Sequence, residues 1–225
     1  MTHVTPPQRT AGALILADIG GYTSFLRAVA VAHEHDAFAG GNIPAAYAMM
    51  SSLLVGIVEH LVPPFTLSKL EGDAVFAYAP DIQSVPYGAA LREAIDACYT
   101  DFRRRIATAN ENWNCTCEAC LRIDQLDLKF ILHAGSFVIQ EIAGNRELVG
   151  PEVVIAHRLL KNDAEATIGQ PAYLLVTAAA ATDLGFEHAG AHPLVAEYEH
   201  YPLMDVLVYP LRTSVTPFSS PAGGP

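Results

Sequence analysis

No apolar run in the 225 residues reaches the roughly 18–20 uncharged positions that a membrane helix requires. The best candidate, residues 43–62, is interrupted by Ser51, Ser52, Glu59 and His60. The opening MTHVTPPQRT has no apolar core of a secretory signal, so the chain is expected in the cytoplasm with no membrane partner. Basic residues are scarce, 13 Lys and Arg against 24 Asp and Glu. A net charge of −11 argues against non-specific nucleic-acid binding, which needs a basic footprint, and any anionic substrate must be held by local cations. There is no internal repeat and no strong linker. The 51% of hydrophobic residues are enough for one sizeable core.

Within that core the stretch LADIGGYTSF, residues 16–25, stands out. The run GALILAD (12–18) reads as a buried strand that ends on a carboxylate, Asp18, and a helical pattern opens just past Gly20 and Gly21. Residues 43–62 carry apolar groups in steps of three or four, from Ile43 through Tyr47, Met50, Leu54 and Val58 to Leu61. This predicts a helix between Gly40-Gly41 and Pro63-Pro64. FTLSKLEGDAVFAYA (65–79) predicts two strands joined at Glu71-Gly72, and residues 86–108 a second amphipathic helix. LDLKFILHAG and SFVIQEI predict a strand pair around Gly135, GNREL a short strand or turn, and 151–162 a helix with proline at its start. AYLLVT is a further strand, followed by a short Ala-rich helix, and 197–211 holds the last strand. Alternation of this kind predicts an α/β or α+β domain with helices on one face of a sheet.

An unpaired carboxylate is costly at a buried strand end, and two such acids repel unless they share cations. Asp18 and Asp73, the latter at a Gly-Asp turn, would suit Mg²⁺, which takes hard oxygen ligands and completes its shell with phosphate. Glycines before a helix N-terminus let phosphate approach free N–H groups. Taken singly, each acid is more often a turn or cap residue, Lys69 a solvated partner of a nearby acid, and Arg158 part of an exposed basic stripe.

The joint pattern resembles the class III nucleotidyl (adenylate/guanylate) cyclase catalytic domain over roughly residues 10–210. The family's Asp-Ile-x-Gly-[Phe/Tyr]-Thr strand end is similar to Asp18-Ile19-Gly20-Gly21-Tyr22-Thr23, and its Lys-x-x-Gly-Asp hairpin to Lys69 through Gly72-Asp73. Its Ile-His-x-Gly strand corresponds to Leu132-His133-Ala134-Gly135, and its Gly-x-x-Val-Asn-x-Ala-x-Arg-Leu helix to the run from Gly150 through Val153, Val154, Ala156 and Arg158 to Leu159. The resemblance implies a ferredoxin-like α+β core with a mixed, mainly antiparallel sheet, and a divergent bacterial branch. Residues 11–212 would form the domain, 1–10 a flexible start, 110–124 a Cys-rich insert and 213–225 a disordered tail.

By the same resemblance Asp18 and Asp73 would bind two Mg²⁺ or Mn²⁺ ions, with a backbone carbonyl from Ile19. Gly20, Gly21, Tyr22 and Thr23 would meet the triphosphate. Lys69 and Glu147 would contact the base, a carboxylate at 147 favouring ATP, and Arg158 would stabilise transition-state charge. Because the family builds its site between two chains, a homodimer is implied. The reaction would convert a nucleoside triphosphate to the 3′,5′-cyclic nucleotide and pyrophosphate. One departure is Val154, which stands where the family has a ribose-orienting asparagine. A displaced reacting hydroxyl costs on the order of 10²-fold in rate, so a catalytically silent nucleotide-binding or dimerisation module is the alternative.

Four cysteines are present. Cys98 falls on an apolar helix face, whereas Cys115, Cys117 and Cys120 form C-x-C-x-x-C. Structural zinc, free thiols and a redox pair or disulfide are all open for the three, and zinc needs a fourth ligand from a His, Cys98 or a partner.

Overall fold

The computed structural model describes residues 7–34, 43–112, 115 and 117–213. The segments 1–6 and 214–225, the Gly40-Gly41 boundary and positions 113, 114 and 116 of the insert lie outside the described residues. In chain order the elements are β1 (Gln8–Gly20), α1 (Tyr22–Ala32), α2 (Ala45–Leu61), β2 (Thr66–Glu71), β3 (Ala74–Ala79), α3 (Gly88–Asn112) and α4 (Glu118–Leu121). They continue with β4 (Asp127–Ile142), β5 (Asn145–Val149), α5 (Pro151–Arg158), α6 (Ala164–Ile168), β6 (Tyr173–Thr177), α7 (Ala178–Leu184), β7 (His192–Ala196) and β8 (Met204–Pro210).

One sheet of eight strands runs β2-β3-β1-β4-β6-β8-β7, with β5 paired to the distal part of β4. Its first four strands have the order and antiparallel pairing of a ferredoxin-like core, and among the described residues only β4–β6 is parallel. The fold is therefore a mixed, mainly antiparallel α+β domain, as the motifs led us to expect.

The continuous apolar run of β1 has a direct cause. Ala13, Ile15, Ala17 and Ile19 pack under residues of α1, α2, α3 and α7, while Leu14 and Leu16 pack against residues of α5 and α6 on the other face. A strand covered on both sides needs no polar alternation. Helices on one face only is thus corrected to helices on both, because α5 and α6 carry their own apolar contacts in Val153, Ala156, Leu159 and Ala164. Among the described residues no helix is long and apolar enough to cross a membrane.

The strand pair expected around Gly135 is instead a single 16-residue strand, β4. Gly135 marks a close approach rather than a turn: a Cβ there would lie 2.7 Å from the Glu152 side chain on α5. β7 and α6 went unread because neither has a clear apolar period, and β1 reaches back to Gln8, into the segment expected to be flexible.

His133 fastens this architecture. It is 2% exposed, with Nε2 2.7 Å from Glu152 Oε2 and Nδ1 3.0 Å from Thr177 Oγ1, which links β4 to α5 and to the end of β6. Burial lowers its pKa below the ordinary 6.5, with Glu152 opposing. The unfolded chain then takes up this proton first on acidification, so the contribution is complete above pH 6.5 and is lost as pH falls toward the lowered value. We expect His133→Leu to cost about 1–3 kcal/mol at pH 7.5 and to flatten the loss of stability between pH 6.5 and 5.5. Urea midpoints at both pH values check this.

Candidate active site

The antiparallel register sets the site. At the end of β1, Asp18 is paired with Ala74 of β3 on one side and Lys129 of β4 on the other. Residues directly opposite on one face of a sheet bring their side chains together, and Asp18 Oδ2 lies 3.0 Å from Lys129 Nζ with both side chains largely buried. The Ile19 N–H donates to the Asp73 carbonyl at 3.1 Å, which ties the β2–β3 turn to the end of β1. Asp18 and Asp73 therefore converge although 55 positions separate them in sequence.

Of the two glycines, Gly21 carries the conformational demand: it caps α1 with φ +83, a left-handed backbone that disfavours a Cβ. Gly20 has no such backbone, and a Cβ there would meet only ordinary contacts. The first bond of α1 runs from the Phe25 N–H to the Gly21 carbonyl. The N–H groups of Tyr22, Thr23 and Ser24 precede it and form the anion-attracting start of the helix. A cavity of about 940 Å³ opens here, with Asp18, Asp73 and this helix start on its wall and Arg27, Arg122 and Lys129 as its cations.

The carboxyl of Asp73 is raised above its ordinary 3.8, first by burial and then by the charge of Asp18, with Lys129 working the other way. Lys129 is held above its ordinary value although burial lowers it, because Asp18 hydrogen-bonds and attracts it and Asp73 adds to the field. Asp18 is thus not free of protein cations, as the sequence had suggested; one lysine stands against two carboxylates. Two oxygen-ligand acids with incomplete neutralisation, beside the Ile19 backbone, fit a hard divalent cation such as Mg²⁺ or Mn²⁺.

Lys69 and Glu147 also meet, but elsewhere. Lys69 Nζ is 3.0 Å from Glu147 Oε2 and 3.5 Å from Glu71 Oε1, and Glu71 in turn is 3.2 Å from His157 Nδ1. The hydrogen bond to Glu147 keeps the Lys69 ammonium above its ordinary pKa. Arg158 joins neither group: its Nη1 donates to the Glu199 carbonyl at 3.1 Å, and its guanidinium sits 5.5 Å from the Tyr201 ring centre. None of these three residues lines the cavity of Asp18 and Asp73. On the elements that carry them, Leu70, Val149 and Val154 are 51%, 41% and 47% exposed.

Cys98 is a core residue, its thiol pushed up to about 12 by burial. Cys115, Cys117 and Cys120 gather around His33, the residue that ends α1. Sequence reasoning missed His33, Lys129 and Arg122. His33 lies 82 to 87 positions from its cysteines, and Lys129 was legible only as the single lysine or arginine of its strand.

The sequence model of a family described as "Protein of unknown function (DUF2652)" matches residues 50–167. A curated relative, the uncharacterised protein Rv2561/Rv2562 of Mycobacterium tuberculosis, is 32% identical over 114 residues, 51% of this chain and 52% of the relative. The match thus spans about half the length of that relative. Among solved structures, the adenylyl cyclase CyaB of P. aeruginosa superposes with a TM-score of 0.58 at 15% identity, covering 94% of this chain and 100% of that one. The catalytic core of a rhodopsin-guanylyl cyclase with converted specificity, in complex with ATPαS, gives 0.57 at 15% identity over 92% of this chain and 100% of that one. The fold is that of class III adenylyl and guanylyl cyclase catalytic domains.

If one lysine under-neutralises two acids, removing an acid should relieve the metal-free protein. Asp73 with a raised pKa contributes stability that is full below pH 3.8 and lost as pH rises through its folded value. At neutral pH we expect Asp73→Asn to raise the melting temperature by roughly 2–4 °C, the shift that about 1 kcal/mol produces at this chain length. Lys129→Met should lower it, and Mn²⁺ should stabilise the Lys129→Met protein more than the wild type. Thermal unfolding with and without Mn²⁺ checks all three.

Proposed function

This chain belongs to the DUF2652 family and has the fold of a class III cyclase domain, and we propose that it converts a nucleoside triphosphate, ATP foremost, into the 3′,5′-cyclic nucleotide and pyrophosphate. The observation that carries the reading is the convergence of Asp18 and Asp73 at the N-terminal end of α1, in a cavity whose other charged groups include Arg27, Arg122 and Lys129. The carboxylates would hold two Mg²⁺ or Mn²⁺ ions, which supply Lewis-acid activation of the 3′-hydroxyl and charge neutralisation on the phosphates. Arg27, Arg122 and the free N–H groups of α1 bind the triphosphate and orient it. The 3′-oxygen then bonds to the α-phosphorus as the α–β bridging bond breaks, the hydroxyl proton passing to water and pyrophosphate leaving.

The division of the candidate residues supports a site completed by a second copy of the chain. Lys69, Glu147 and Arg158 lie outside the acid cavity and on elements that expose Leu70, Val149 and Val154. In a homodimer they face the partner's acids: Lys69 and Glu147 exchange their mutual ion pair for the base, with the carboxylate accepting from an adenine amino group. Arg158 leaves the Glu199 carbonyl to meet the developing charge. Val154 presents no hydrogen-bonding group to a ribose, which favours a slow enzyme and keeps a silent nucleotide-binding module as the second reading.

Purified chain incubated with Mn²⁺ and each of the four nucleoside triphosphates should yield a cyclic product, detected by mass spectrometry. Asp73→Ala and Arg158→Ala should each lose at least about 10²-fold. Mixed in equal amounts, the two inactive variants should recover roughly a quarter of the wild-type rate, from one intact site in the mixed half of the dimers. Nucleotide binding by calorimetry with no product from any triphosphate selects the silent module, and no recovery on mixing removes the shared site.

A further inference from the structure

Near the cavity, and independent of its function, His33, Cys115, Cys117 and Cys120 form a second constellation. Nε2 of His33 is 3.3 Å from Cys120 Sγ, 3.4 Å from Cys117 Sγ and 3.6 Å from Cys115 Sγ. The four ligand atoms lie within 4.8 Å of one another. Hydrogen bonding does not account for this arrangement, since one imidazole nitrogen offers a single proton or a single lone pair and here faces three sulfurs at nearly equal distance. A central cation does account for it. With zinc–sulfur bonds of about 2.3 Å and zinc–nitrogen bonds of about 2.0–2.1 Å, tetrahedral geometry separates nitrogen from each sulfur by roughly 3.5 Å.

We propose that His33, Cys115, Cys117 and Cys120 bind one zinc ion in a closed tetrahedral Cys₃His site that fastens α4 to the C-terminal end of α1. The soft thiolates select zinc over the hard cations suited to the acid pair. All four positions are filled by the chain, so the site is structural and leaves no room for a catalytic water. The Cys120 N–H donates to Cys117 Sγ at 3.4 Å, the backbone support a metal-bound sulfur receives. α4 has only four residues and cannot hold its position by its own hydrogen bonds. It nevertheless contributes Cys117, Glu118 and Ala119 to the wall of the large cavity, and Arg122 follows it directly. Zinc thereby sets where that wall, and the Arg122 cation with it, stands relative to α1.

The test needs no enzymatic readout. Chain purified under reducing conditions without a metal-binding tag should contain about one zinc per chain, and cobalt substitution should give tetrahedral d–d bands with thiolate-to-cobalt charge transfer. His33→Ala should weaken zinc binding at least about 100-fold in competition with a chelating dye, since losing a ligand exceeds the loss of a supporting contact. His33→Cys should keep one zinc per chain and guards against a folding defect as the explanation. Chelation should raise amide exchange in residues 117–125 while leaving β1 and β4 protected. Sub-stoichiometric metal with no zinc uptake, a disulfide among the three cysteines, or unchanged affinity in His33→Ala would each overturn the assignment. A failed cyclase assay leaves it untouched.

Discussion

The antiparallel pairing of β1 with β4, continuous from Gln8 opposite Ile139 to Gly20 opposite Asp127, is the constraint on which the candidate site depends. It places Lys129 directly across from Asp18, and the parallel pairing of β4 with β6 fixes that same stretch of β4 from its other edge. A slip by one residue would turn every side chain to the opposite face. Asp18 would then enter the apolar layer under α1–α3 and Lys129 would follow it. Burial of Leu14, Leu16, Ile131 and Phe76 on the α5 side makes that slip prohibitively costly. The site is thus held in register by residues that take no part in its chemistry.

Electrostatically the cavity is unfinished. Asp73 is displaced upward by burial and by Asp18, and Lys129 relieves only part of that strain. An arrangement of this kind lowers stability while concentrating charge in the cavity, the usual tension between a site and its scaffold. The lysine also has a second consequence. It keeps the acid pair tolerable within the chain itself, so folding need not await a cation, and a divalent metal of the kind proposed would have to compete with it for Asp18.

Two kinds of donor group are kept apart by a short stretch of chain. The acid pair sits near the start of α1 and the thiol cluster near its end, so the 11-residue helix stands between oxygen donors and sulfur donors. Hard oxygen donors and soft sulfur donors at opposite ends of one helix suit different classes of cation. Away from the cavity, Lys69, Glu147 and Arg158 are satisfied within the chain by an ion pair, a carbonyl and an aromatic ring. These contacts are polar and partly exposed, so a docking partner can displace them at modest cost.

Local order in the sequence was enough for much of this. The apolar run into Asp18, the turn at Glu71-Gly72 and the proline that opens α5 each set an element by steric and hydrogen-bonding rules that act over a few residues. The order of the four motifs pointed to the cyclase fold. Tertiary structure alone decided the rest. Gly135 read as a turn because glycine most often serves one, and only the approach of Glu152 shows why it lies within a strand. Asp18 read as unpaired because its partner, Lys129, belongs to a strand more than a hundred positions away, and register cannot be counted along one chain. The cysteines announced themselves by spacing, whereas His33 reaches them only because α1 and α4 pack together. Sequence determines what can be formed within a turn or two of chain; which distant charge or ligand arrives beside it is determined by packing.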